Sequence, residues 1–276
     1  MTVTDDPPTA ASPDPAAERP RRRGPWLVLA ALTALSVTVP IGLDVAGVQL
    51  ERSSDTSVAL PPHALRTVEV DATSAAVTVR AAAGGGRVRL RKDLHWTLAR
   101  PRVHTEWRGD TLRLKVACGD GPVTTFGLCD ADVTLSVPPN VAVKGTTNSG
   151  SLAVRGMAGD VDLVDHSGSL ELEGLSGPVR ARVGSGSLQG VRLSSGSVEV
   201  ATGSGSIDLA FSKPPGRVTA RTGSGSLDLT VPAGSRYAIT GHTGSGSPNI
   251  AQGIADYSSP DRLDLTAGSG SIDVHY

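Results

Sequence analysis

The sequence predicts an all-β chain, a β-solenoid or β-helix-like repeat domain preceded by one transmembrane helix. Three observations carry this. A Ser-Gly-Ser motif recurs through the C-terminal half, short aliphatic runs alternate with polar residues, and a charge-free apolar stretch follows a cluster of arginines.

Composition narrows the choice further. The 276 residues contain 33 glycines and only 3% aromatics, so the core must come from Val, Leu, Ile and Ala. Small-residue turns with aliphatic alternation favour many short strands over long helices. A net charge of −1 supplies no global basic field, so no nucleic-acid partner is expected. Arg far outnumbers Lys, as in chains from GC-rich bacterial genomes.

Residues 1–24 read as a disordered cytoplasmic tail. Asp5 to Pro20 is rich in Pro, Ala and acidic residues, with nothing to build a core, and Arg19, Arg21, Arg22 and Arg23 follow. Residues 25–47 read as the transmembrane helix. Trp26 to Leu43 carries no charge over 18 positions. As a helix that run spans about 27 Å, against about 30 Å of hydrocarbon. Pro40 kinks its end, which membrane helices tolerate. Arginines on the N-terminal side, with Asp44 and Glu51 beyond, keep the tail inside and export the rest. A cleaved secretory signal has the same basic and apolar regions. Here the basic cluster starts late and no Ala-x-Ala site ends the run, which favours an uncleaved signal-anchor. A buried core helix fits less well, because the run is apolar on all sides.

Residues 48–64 read as a linker, polar through Glu51-Arg-Ser-Ser-Asp-Thr-Ser and stiffened by Pro61-Pro62. Strand-like alternation then opens a domain over 65–276. Val68 and Val70 alternate with Thr67 and Glu69, and Val77 and Val79 with Thr78 and Arg80. Val88 and Leu90 alternate with Arg87, Arg89 and Arg91, and Leu112, Leu114 and Val116 with Arg113 and Lys115. Gly, Asp or Pro breaks each run, which is period-two patterning with turn punctuation.

The motif glycines are Gly150, Gly168, Gly186, Gly196, Gly205, Gly225, Gly246 and Gly270. Their steps are 18, 18, 10, 9, 20, 21 and 24, and the 10 and 9 together make one further step. Glycine lets the chain turn sharply and serines bond the turn's own backbone. The residues after each motif alternate inward and outward, as Ile207, Asp208 and Leu209 do. A second strand often precedes the next motif, as in Val179 to Val183. One rung of two short strands per 18–21 residues suits a solenoid, in which each rung stacks on its neighbours. A β-sandwich shares the short strands and turns. Flexible Gly/Ser linkers do not explain the β-branched alternation.

Taken together, these features resemble the bacterial DUF4097 family of candidate adhesins. The resemblance rests on the Thr67-Val-Glu-Val-Asp-Ala opening, the Val133-to-Val137 strand with Pro138-Pro139-Asn140 after it, and the Ser-Gly-Ser-Leu/Ile repeats, over about residues 65–276. It implies an all-β, solenoid-like domain on the cell envelope, and no catalytic residues are carried over.

Few motifs carry chemistry. In an exported domain Cys118 and Cys129 read as an intrachain disulfide. A zinc site is the rival, without further cysteines or paired histidines to complete it. Gly184-Ser-Gly186 matches part of a dinucleotide fingerprint, but no helix follows and the motif recurs as a structural corner. No Gly-x-Ser-x-Gly elbow occurs. Asp208, Asp228 and Asp273 fall at equivalent repeat positions, as an acidic ladder for calcium or acid–base work, or as outward solubilising residues. Gln189 and Glu199 at the same position favour the second reading. His95-Trp96 through Trp107-Arg108 concentrates Trp and Arg, a glycan or polyanion face or a charged hairpin. Arg108-Gly109-Asp110 matches the integrin tripeptide and more simply makes a turn.

The expected function is non-enzymatic: a membrane-anchored envelope protein with no cofactor and no metal, displaying a repeat domain for adhesion, scaffolding or sensing. Its partners would be the membrane, through the N-terminal helix, and a cell-wall polymer or envelope protein. The alternative is a solenoid carbohydrate-active enzyme using the aspartates. The last strand, Ser271 to Tyr276, carries no evident cap, and self-association through it is expected.

Overall fold

The computed structural model describes residues 52–61, 64–83, 86–97, 100–118 and 129–276. The expected tail, the transmembrane helix over 25–47 and the first residues of the linker lie outside them.

Alternating aliphatics make strands wherever they occur, and the described residues are all-β, with nineteen strands and no α-helix. The N-terminal part holds β1 (Arg52–Ala59), β2 (Thr67–Ala72), β3 (Ala76–Ala81), β4 (Arg89–Trp96), β5 (Arg102–Arg108), β6 (Thr111–Ala117) and β7 (Cys129–Val137). The middle holds β8 (Ala142–Thr147), β9 (Ser151–Arg155), β10 (Val161–Glu173), β11 (Val179–Leu193), β12 (Ser197–Ser204), β13 (Ile207–Phe211), β14 (Arg217–Ser224) and β15 (Leu227–Thr230). The C-terminal part holds β16 (Ala238–Ser245), β17 (Pro248–Ile250), β18 (Arg262–Ser269) and β19 (Ile272–His275).

The strands stack as two-strand rungs in parallel register. In the first layer β6, β2, β8, the first half of β10, the first half of β11, β12, β14, β18 and β16 lie side by side. In the second layer the matching order is β7, β3, β9, the second halves of β10 and β11, β13, β15, β19 and β17. β10 and β11 turn from one layer into the other without a break. The sheet is not closed.

The core lies between the layers. Inward columns run through Val143, Val161, Val179, Val198 and Val218 on one side and Leu152, Leu170, Leu188, Ile207 and Leu227 on the other, all at most 2% exposed. Cross-layer packing is tight. A Cβ on Gly145 in β8 would stand 2.4 Å from the Leu152 side chain in β9. With few aromatics, the two layers must approach closely to exclude water, and small residues let them.

Glycine corners join the layers. Gly150, Gly168, Gly186, Gly205, Gly225, Gly270 and Gly246 stack in one column, with Ala75 ahead of Gly150. A Cβ on Gly186 would stand 1.8 Å from the Gly168 carbonyl oxygen, and one on Gly205 1.8 Å from that of Gly186. Both have positive φ, 146° and 137°. Close approach and backbone geometry therefore both demand glycine there. Gly196 is different: it stands at the opposite edge, where its carbonyl accepts from the N–H groups of Gly216 and Arg217 at 3.0 and 2.9 Å. This corrects its reading as one more Ser-Gly-Ser corner. The chain uses turns at both edges, and only one edge needs the motif glycine.

Two further expectations change. Residues 52–59, read as linker, form β1, which pairs antiparallel with β4 from Arg52–Trp96 to Ala59–Arg89. β1 is an outer strand exposed along nearly its whole length, so it has no inward face to produce alternation. The last strand is not an open edge. β19 lies between β15 and β17, and the outermost rung is β16 with β17. Core filling explains the order. The inserted rung offers Leu263, Leu265, Ala267, Ile272 and Val274, all at most 1% exposed. The outer rung has Ile239, Gly241, Thr243, Pro248 and Ile250 at the same positions. The better-filled rung takes the place flanked on both sides. Pro248 and the glycines make a poor template for another strand, which suits an end rung.

At the other end antiparallel strands cover the stack: β5 lies on β6, β4 on β7 and β1 on β4.

Candidate functional site

Side chains between the core columns point outward and form in-register ladders. On the first layer, Arg113, Glu69, Lys144, Asp162, Arg180 and Glu199 succeed one another across six strands with alternating sign. Arg113 Nε lies 2.7 Å from Glu69 Oε2, Lys115 Nζ 3.3 Å from Asp71 Oδ2, and Arg180 Nε 3.4 Å from Glu199 Oε2. Opposite charges on neighbouring strands are the favourable arrangement. Glu69, Asp71, Arg113, Lys115, Lys144 and Asp162 line a shallow cavity of about 470 Å³.

The second layer brings the three aspartates together. Asp208, Asp228 and Asp273 are register partners, with Gln189 before them and Asn249 after. Glu199 is not in this column. It sits on the first layer, because its turn glycine, Gly196, belongs to the opposite edge. Burial pushes the Asp228 carboxyl above the ordinary aspartate range. His275 opposes this, and Asp208 and Asp273 on either side add to it. His275 Nδ1 lies 3.5 Å from Asp228 Oδ1, and Asn249 Nδ2 donates to Asp273 Oδ1 at 3.0 Å. The ladder is a row on an open sheet surface. Among the described residues no group of three or more His, Cys, Asp or Glu is arranged to hold a metal ion.

Cys118 and Cys129 are joined by a disulfide, with Cα atoms 5.8 Å apart. It joins the residue after β6 to the first residue of β7, in a rung that, like that of β2 and β3, has no Ser-Gly-Ser motif. Gly109, with φ 62°, makes the β5–β6 turn, so Arg108-Gly109-Asp110 is a hairpin tip. Its charges are engaged: Arg108 Nε lies 3.0 Å from Glu106 Oε1, and Asp110 Oδ2 3.4 Å from Arg66 Nε. Trp96 and Trp107 fall on different layers, in β4 and β5, each partly buried against the core. Arg100 stacks over Trp96 at 5.1 Å. The stretch thus splits into two end-covering strands instead of one face.

One group of side chains escaped the sequence reading. Arg80 on β3 and Arg89 on β4 flank Ser136 on β7 in one row. Along the chain Arg80 reads only as the polar partner of Val79, and Arg87 and Arg89 as the polar partners of Val88 and Leu90.

Buried polar groups are few. Asp165, 1% exposed, faces inward between Thr147 and Val183. Its Oδ1 accepts from the Ser167 N–H at 3.2 Å, while Oδ2 and the Thr147 hydroxyl have no partner. Burial raises its carboxyl above the ordinary aspartate range.

These features define a class: an all-β repeat domain whose working surfaces are outward ladders of polar side chains. The chain belongs to the Toastrack DUF4097 family, whose model matches residues 33–275. A comparison with curated proteins finds no match. Among solved structures, a candidate adhesin from Bacteroides fragilis is similar at 10% identity and a TM-score of 0.41, over 82% of this chain and 97% of that one. A candidate cell adhesion protein from Clostridium sporogenes is similar at 11% identity and 0.35, over 81% and 99%. A candidate lipid binding protein from Parabacteroides distasonis is similar at 13% identity and 0.33, over 81% and 96%.

Proposed function

We propose that the chain is a membrane-anchored cell-envelope protein whose β-solenoid displays side-chain ladders for adhesion, scaffolding or envelope sensing, without catalysis. The alternating ladder from Arg113 to Glu199 carries the reading. It is long, regular and exposed, and suits multipoint contact with an extended cell-wall polymer or an envelope protein. The anchor rests on the apolar run after Arg23, with the tail inside and the solenoid outside. The test uses the domain as bait against cell-wall polymers and envelope proteins. Enrichment of a partner that is lost when Lys144 and Arg180 are changed to Ala supports the reading. Enrichment that survives those changes, or none, counts against it. Protease shaving of intact cells checks topology: the solenoid should be cut and the tail spared.

A further inference from the structure

Several arginines on this molecule stand beside carboxylates that neighbouring strands supply. Arg91 lies 3.0 Å from Asp55 Oδ2 and 3.2 Å from Asp93 Oδ2. Arg155 lies 3.1 Å from Glu171 Oε2 and 3.4 Å from Glu173 Oε2. The cavity on the first layer has three acidic and three basic residues on its wall. A second shallow cavity, lined by Arg80 and Arg155, has Glu173 on its wall.

The pocket between the end of β3 and the start of β4 departs from this pattern. It has a volume of about 470 Å³, and its polar wall is Arg80, Arg87, Arg89 and Ser136. Ala81, Ala82, Ala83 and Gly86 complete the lining, and among the described residues no carboxylate lines it. Arg80 and Arg89 are each one strand away from Ser136. At about 4.8 Å between strands, their Cα atoms stand about 10 Å apart, close enough for two long side chains to converge on one ligand. Arg80 Nε donates to Ser136 Oγ at 3.1 Å, which steadies one guanidinium over the row. Arg87 lies two residues before Arg89, so it projects from the same side. The alanines and glycine leave the space between the arginines unfilled.

Three guanidinium groups around one hollow repel one another until an anion enters. Their planar forks match tetrahedral oxyanions, which they grip through paired N–H donors. We infer that Arg80, Arg87 and Arg89 form a binding site for a phosphate-type oxyanion, free or carried on a phosphodiester. The inference does not depend on where the domain is displayed or on which partner its ladders bind.

The experiment is an NMR titration of the full-length protein that follows arginine Nε–Hε signals, with inorganic phosphate and dimethyl phosphate as separate probes. Saturable shifts at Arg80 and Arg89 are expected, with little change at Arg221, which is exposed on β14 and does not line the pocket. Arg80→Gln with Arg89→Gln should weaken binding at least tenfold while the melting temperature holds. Arg89→Lys, which keeps the charge but loses the fork, should fall between. Saturation by dimethyl phosphate as well assigns the site to a phosphodiester, and saturation by phosphate alone assigns it to a free or terminal phosphate. Both outcomes uphold the site. No saturable shift with either probe, equal shifts at Arg221, or undiminished binding by the folded double variant overturns it.

Discussion

The middle of the stack and its two ends are built from the same rung but obey different rules. From β8 to β15 each rung follows its predecessor in the chain, register is continuous, and a glycine corner repeats. At the ends chain order and spatial order part. The rung of β6 and β7 lies outside that of β2 and β3, and the rung of β18 and β19 lies inside that of β16 and β17. A repeat therefore specifies how rungs stack but not which rung is last. End rungs are settled by other means: antiparallel strands and a disulfide at one end, and unequal core filling at the other.

The strongest way to break this comparison is at the corners. Gly186→Ala forces a Cβ within 1.8 Å of a carbonyl oxygen at φ 146°. It should cost more than about 4 kcal/mol or prevent cooperative folding. Gly196→Ala meets nothing within 4 Å, and its denaturation midpoint should barely move, by about 0.5 kcal/mol at most. Equal effects would mean that both edges use the same corner.

Next in size is the N-terminal end. Changing Cys118 and Cys129 together to Ser should cost about 2–4 kcal/mol. The loss of hydrogen-exchange protection should concentrate in β4 to β7, leaving β11 to β15 as protected as before. Uniform loss would show that the ends and the middle melt as one unit.

A smaller effect, of opposite sign, is expected inside the middle region. Asp165→Asn keeps an acceptor for Ser167 and removes a charge that burial penalises, so it should stabilise by about 1 kcal/mol near neutral pH. The folded-state pKa of Asp165 is raised, so the parent binds its proton more tightly folded than unfolded. The parent's deficit is therefore full above the raised pKa. It closes as pH falls from the raised value toward 3.8, the ordinary one, and is gone below it, which melting curves at a series of pH values will show. Smallest of all, Asp228→Asn should remove a charge that burial and the neighbouring aspartates disfavour and His275 favours, a net gain of a few tenths of a kcal/mol near neutral pH.

Much of the middle region was legible because its signals are local. Steps of 18 to 21 residues between corners and inward Val, Leu and Ile positions can be counted along the chain. Errors arose where a decision is made in three dimensions. Gly196 has the same neighbours in sequence as the true corners, and only the alternation between edges separates it. Placing it correctly moves Glu199 out of the aspartate column and leaves Asp208, Asp228 and Asp273 as an uninterrupted run. β1 has no buried face, so period-two patterning could not mark it. The transposed C-terminal rung is chosen by competition, with Leu263 and Leu265 against Ile239 and Gly241, and neither member is informative alone. The arginine pocket needs β3, β4 and β7 side by side, and their pairing joins residues far apart in the chain.

The rung order is tested most directly by paired cysteines on the outer surface of the second layer. Asp228 and Asp273 are register partners on adjacent strands, whereas Asp228 and Asn249 are separated by β19. Adjacent strands place Cα atoms about 4.8 Å apart, within disulfide reach, and two steps place them about 10 Å apart, beyond it. Under mild oxidation Asp228→Cys with Asp273→Cys should crosslink in the folded protein, and Asp228→Cys with Asn249→Cys should not. A crosslink between 228 and 249, with none between 228 and 273, would show that the rungs stack in chain order and contradict the account.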